Sequence, residues 1–112
     1  RRQRQMCIRD RIYSITKEFP KSELFGLSSQ INRAAVSVAA NLAEGSARIS
    51  KRDQAHFSQL AYSSLMEVAC LLMLAMDQTF ITEEVLDDLR AKIASIAFQI
   101  NALRSSQIKA IP

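Results

Sequence analysis

The sequence predicts an all-α protein, an up-down-up-down antiparallel four-helix bundle forming a single domain over residues 1–112. Three observations carry this reading. Four segments place apolar residues every three or four positions, the period of a helix with one buried face. The connections between them are about 8, 3 and 4 residues long, too short for crossovers, so consecutive helices must run antiparallel. Two Gly and two Pro in the whole chain cannot supply the reversals of a β-sandwich or barrel.

The first helix is expected over residues 4–19, with Ile8, Ile12, Ile15 and Phe19 on one face and Pro20 as its stop. The chain opens on Arg1 without an initiator Met, so an upstream extension is expected. Residues 20–27 form a connection, and Ser28 is the expected N-cap of a second helix over 28–47. The third, over 51–78, begins at Ser50-Lys51-Arg52-Asp53, a capping box with Asp in the usual Glu position. It runs into nine uninterrupted apolar residues, Val68 to Met76. Thr82 caps the fourth, over 83–107, with Glu83 and Glu84 in its positive first turn. Leu86, Leu89, Ile93, Ile96, Ile100 and Leu103 give that helix a coiled-coil-like seam.

Composition excludes several functions. Glycine-rich phosphate loops need glycines in one short run, and none occurs. Cys7 and Cys70, 63 positions apart, form no disulfide framework, which points to a reducing cytoplasm. No signal-peptide pattern and no apolar span suited to a membrane is expected. One histidine leaves Asp53-x-x-His56 as half a di-iron motif without its second half, and no hydrolytic triad assembles around it. Cys70 lies in an apolar run, where a thiol stays protonated and inert. The expectation is no catalytic residues, no metal and no cofactor.

The second helix carries two apolar flanks. Gln30, Arg33, Ser37, Asn41, Glu44 and Arg48 fall on one polar stripe. Ile31, Ala35, Val38 and Leu42 lie to one side of it and suit the bundle's own core. Val36, Ala40, Ala43 and Ala47 lie to the other and suit close approach of another subunit. In the third helix Met73 and Leu74, together with Met66 and Met76, are expected to extend that surface, because soluble monomers avoid such patches. Self-association follows. Arg33 and Glu67, long ionic side chains at comparable depth on helices two and three, are expected to pair and fix register.

Charge is sorted by end. The end formed by the start of helix one, the helix two–three loop and the close of helix four gathers Arg1, Arg2, Arg4, Arg48, Lys51, Arg52, Arg104 and Lys109 against Glu44 and Asp53, a formal +6. The opposite end is a formal −4. Arg1, Arg2, Arg4, Lys51 and Arg52 lie near helix N-termini, where cations oppose the dipole, so helix stability does not explain them. RNA or DNA phosphates would. A solvated basic face is the plainer alternative. Seven aromatic residues and no Trp argue against base-specific reading of single strands.

The segment Leu27-Ser28-Ser29-Gln30-Ile31-Asn32-Arg33-Ala34-Ala35-Val36-Ser37-Val38-Ala39-Ala40-Asn41-Leu42-Ala43-Glu44-Gly45 resembles the central signature of the four-helix-bundle proteins encoded in intervening sequences of 23S ribosomal RNA genes. Ala61-Tyr62-Ser63-Ser64-Leu65-Met66-Glu67 is similar to that family's second block, and Phe19 to Leu27 to its first connection, so the likeness covers residues 12–103. The resemblance implies a pentameric ring without enzymatic activity. The family is similar to the accessory protein of diversity-generating retroelements, a basic pentamer that binds nucleic acid and a reverse transcriptase. Arg33, Asn41, Glu44, Gly45 and Glu67 match its signature positions. Two features depart from it: the first helix opens Arg-Arg-Gln-Arg-Gln-Met-Cys where aromatics are usual, and Ala39 or Ala40 replaces a proline. The functional expectation is a non-catalytic, cytoplasmic homo-oligomer that binds nucleic acid through Arg1, Arg2, Arg4, Arg48, Lys51 and Arg52. The alternative is a scaffold or adapter for a protein partner such as a reverse transcriptase, without nucleic-acid contact. No membrane partner is expected.

Overall fold

The computed structural model describes residues 2–112 and, within the first helix, side chains from Ile8 onward. It contains α1 (Arg2–Thr16), α2 (Leu27–Ser46), α3 (Lys51–Asp77) and α4 (Glu83–Lys109), with one 3-10 turn at Lys21–Glu23 between α1 and α2. Among the described residues there is no strand. α1 packs on α2, α2 on α3, α3 on α4, and α4 returns to α1, closing a four-helix bundle of 50 × 25 × 21 Å. Cross-links between helices set the antiparallel sense. Ser37 on α2 meets Ser64 on α3, and Ser58 at the start of α3 meets Gln107 at the end of α4.

One apolar cluster fills the centre. Ile8, Ile12, Ile31, Val38, Leu65, Val68, Leu72, Leu89, Ile93, Ile96 and Ile100 are all buried in it, and Ile15 packs against its edge. The expected faces of α1 and α4 are therefore the ones that turn inward, with Leu103 only half-buried at the end of its seam. Each fully buried Leu or Ile contributes about 1.5–3 kcal/mol relative to exposure.

The helix ends fall within three residues of expectation, and at two of them the local chemistry differs. α1 stops at Thr16, because Glu18 and Phe19 donate to carbonyls three residues back and tighten the chain into a turn. Phe19 is still buried, its ring 5.3 Å from that of Phe80. Thr16, also buried, accepts from Asn32 Nδ2 at 3.0 Å and ties this turn to α2. α2 begins at Leu27, and Ser28 is not its cap. Gly26 occupies the cap position, and the Glu23 carboxylate, brought over the helix end by the 3-10 turn, accepts from Leu27 N at 3.3 Å. Ser28 is buried one residue inside the helix. The other two caps form as expected: Ser50 accepts from Asp53 N at 3.0 Å and Thr82 from Val85 N at 3.2 Å.

α3 corrects a further expectation. By length and composition alone it is apolar enough to cross a membrane, although a third of its most apolar window is buried inside the bundle. Met66 and Met76, expected on its outer surface, instead pack against the core, leaving Met73 and Leu74 exposed. Cys70 is the reverse case: expected within an apolar run, it lies on the exposed side of the helix.

α3 ends in a hydrogen-bonded stop. Phe80 N donates to Ala75 O at 2.9 Å and Thr79 N to Met76 O at 2.8 Å, the double bond of a Schellman motif. The motif requires left-handed backbone at Thr79, whose φ is 64°. A β-branched residue is strained there, and glycine is the residue that fits. At the other turn, α2 and α3 approach so closely that a Cβ on Gly45 would stand 2.9 Å from Phe57 Cβ.

Thr79→Gly should stabilise the protein by about 1 kcal/mol, read as a rise in thermal midpoint of about 4–8 °C. Gly45→Ala should destabilise it by about 1–3 kcal/mol in a denaturant titration, because Phe57 Cβ is fixed to the backbone and α2 must move away from α3.

Candidate nucleic-acid interface

The basic end is built around the loop joining α2 to α3. Gly45 allows the two helices to meet, and the chain then reverses through Ala47-Arg48-Ile49-Ser50. The reversal is held by backbone bonds from Ala47 N to Glu44 O and from Arg48 N to Gly45 O. Gln54 Nε2 reaches back to Arg48 O at 2.8 Å, and the Ser50 hydroxyl caps α3. The loop is fastened at both ends.

Arg48, Lys51 and Arg52 are all exposed on this loop and the first turn of α3. Arg48 is positioned by its own chain: its guanidinium stacks over the Phe57 ring at 4.8 Å and pairs with Glu44 at 2.9 Å. That pair is about half exposed, so it orients the side chain more than it stabilises the fold. Among the described residues Lys51 and Arg52 have no ion-pair partner, and they sit where the α3 dipole disfavours positive charge. Arg104 and Lys109 belong to the same end, since Ser58 near the start of α3 bonds Gln107 of α4 at 2.7 Å. Arg1 and the side chains of Arg2 and Arg4, the remaining expected contacts, lie outside the described residues.

Four of the acids at the opposite end have local roles. Glu23 caps α2, and Glu83 and Glu84 sit in the first turn of α4. Asp88 accepts from Lys92 at 3.1 Å and from Arg11 at 3.4 Å, linking α4 to α1. The Lys92 hydrogen bond, with the charges of Lys92 and Arg11, holds its carboxyl below the ordinary aspartate value.

Arg33 and Glu67 do not pair with each other; both are exposed, and neither has an ion-pair partner among the described residues. The α2–α3 contact passes through Ser37 and Ser64, whose hydroxyls are 2.8 Å apart, with Asn41 Nδ2 donating to Ser37 Oγ at 3.1 Å. Arg33 and Glu67 are rotated off that line by about 40° and 60° toward solvent. Register is set by small polar groups where ionic ones were expected. Arg33 instead borders a shallow open groove with Asn32, Val36 and Ser37. The second flank of α2, comprising Val36, Ala40, Ala43 and Ala47, is uncovered within the chain, and Val36 is 50% exposed. Met73 and Leu74 are each 47% exposed on α3. His56 is exposed too, edge-on to Phe57 at 5.5 Å, and among the described residues no three His, Cys, Asp or Glu side chains gather as metal ligands.

These features define a class, an antiparallel four-helix bundle with one cationic end and an uncovered small-residue helix face. Residues 2–102 match the 23S rRNA-intervening sequence proteins, and the chain belongs to that family. Among solved structures it is similar to a protein of unknown function from the S23 ribosomal protein family of Bacteroides thetaiotaomicron. The two share 21% identity and superpose with a TM-score of 0.84 over 92% of this chain and 96% of that one, a likeness of fold. No curated protein matches the sequence.

Proposed function

We propose that the protein is a non-catalytic homo-oligomer that binds the phosphate backbone of nucleic acid through its basic end. The observation that carries this is the loop carrying Arg48, Lys51 and Arg52. It presents three exposed cations on a fastened backbone, two of them at a helix N-terminus that gains nothing from them. The uncovered flank of α2, and the exposed Met73 and Leu74 on α3, support assembly with further copies. A ring of five, as the family resemblance implies, would multiply the cationic surface fivefold and give phosphate contacts in parallel. The second reading, an adapter for a partner enzyme, is favoured by a different feature. Leu24 and Phe25, 60% and 93% exposed, stand on the α1–α2 connection at the opposite, acidic end.

Binding to duplex nucleic acid should weaken steeply with salt. Reversing Arg48, Lys51 and Arg52 together to Glu should lower affinity more than about tenfold at low salt and flatten the salt slope by about 2–3. Unchanged affinity in a titrated anisotropy assay would remove the basic end from the reading. Light scattering should return a mass of several chains, and Ala40→Glu on the uncovered flank should reduce it. A wild-type mass of one chain at micromolar concentration would end the assembly model.

A further inference from the structure

Ile49 sits between Arg48 and Lys51-Arg52 and is 97% exposed, the most exposed large apolar side chain among the described residues. It has no part in the core. Its exposure is not that of a loose loop. Arg48 O accepts from Gln54 Nε2, Arg48 N donates to Gly45 O at 3.1 Å, and Gln54 N donates to Ser50 O at 3.0 Å. Ile49 is therefore carried on a backbone fixed on both sides. Being β-branched, it has few rotamers to lose when it enters a slot.

We propose that Ile49 is an apolar wedge that enters the minor groove of duplex DNA at an unstacked step, while Arg48, Lys51 and Arg52 hold the flanking phosphates. The proposal rests on the basic end being a nucleic-acid contact, and it names what that contact recognises: a duplex that opens readily between two base pairs. Apolar wedges flanked by cations are how proteins kink DNA from the minor groove, and isoleucine is among the residues that do so. The minor groove of duplex RNA is wide and shallow and offers no such slot. An anionic membrane would be held poorly by one aliphatic side chain, since stable anchoring takes larger apolar area. The cations on either side also set the sign of the partner: a protein pocket for Ile49 would have to be ringed with acid.

The test uses the full chain and two DNA duplexes, one fully paired and one with a single-nucleotide bulge, each carrying 2-aminopurine at the central step. The wild type is expected to bind the bulged duplex about tenfold more tightly and to raise its 2-aminopurine fluorescence. Ile49→Ser, which disturbs no packing, should lose the preference and the fluorescence change while keeping the wild-type salt slope. Ile49→Leu should retain both. Salt-dependent binding without preference, or a preference that survives Ile49→Ser, overturns the wedge and leaves the basic-end reading standing. No salt-dependent binding to either duplex overturns both. An equal preference for a bulged RNA duplex overturns the minor-groove assignment.

Discussion

The close approach of α2 and α3 is the constraint on which the rest of the molecule depends. It is set at one end by Gly45, where the missing side chain lets Phe57 come within contact of the α2 backbone. Midway it is set by the hydroxyls of Ser37 and Ser64, which meet at 2.8 Å. Small residues at both points let the helix axes draw together, so the large side chains of α2 and α3 turn toward α1 and α4. Ile31, Val38, Leu65 and Leu72 then meet Ile12 and Ile96 in one cluster. The same approach dictates the short reversal at 47–50, and with it the direction in which Arg48, Ile49 and Lys51 leave the bundle.

What the sequence made legible was whatever is encoded within a turn or two of itself. The apolar periods of α1 and α4 identified Ile8, Ile12, Leu86, Leu89, Ile93 and Ile96 as core, because a 3.6-residue period fixes which residues share a face. Ser50 and Thr82 were readable as caps for the same reason: each bonds an amide three residues on. Ser28 was not, since the acceptor at that helix end is Glu23, delivered by a 3-10 turn that has no strong sequence signal. The end of α1 was misplaced because the turn after Thr16 keeps Phe19 on the buried side without continuing the helix.

The candidate site was legible in kind and not in geometry. Sorting the charges by end needed only the topology, and the structure keeps Arg48, Lys51 and Arg52 on one exposed loop. The pairing of Arg33 with Glu67 failed because depths within about a turn of each other along two helices say nothing of rotation about them, and both side chains turn outward. The rigidity of the loop was likewise hidden. It comes from Gln54 reaching across six positions to Arg48 O, and from Phe57 lying under the Arg48 guanidinium. Ile49 drew no notice in sequence, where a single isoleucine among polar residues carries no periodic signal, and only its 97% exposure on a fixed backbone singles it out.

The two ends of the bundle use charge differently, and the difference bears on why the proposed binding role is placed at one of them. At the acidic end several charges serve the fold: Glu23 satisfies an orphan amide, Glu83 and Glu84 complement a dipole, and Asp88 is shared between Lys92 and Arg11, while Asp77, at the close of α3, opposes its dipole. At the basic end Lys51 and Arg52 work against the dipole they sit on, and Arg48 is aimed by an aromatic ring and a partly solvated acid. A helix that needed only solubility could carry acids there at no electrostatic cost. Cations in an unfavourable field, next to an apolar side chain held clear of the surface, would be stabilised by an anionic surface with an apolar recess, which is the chemistry the proposed binding role calls for.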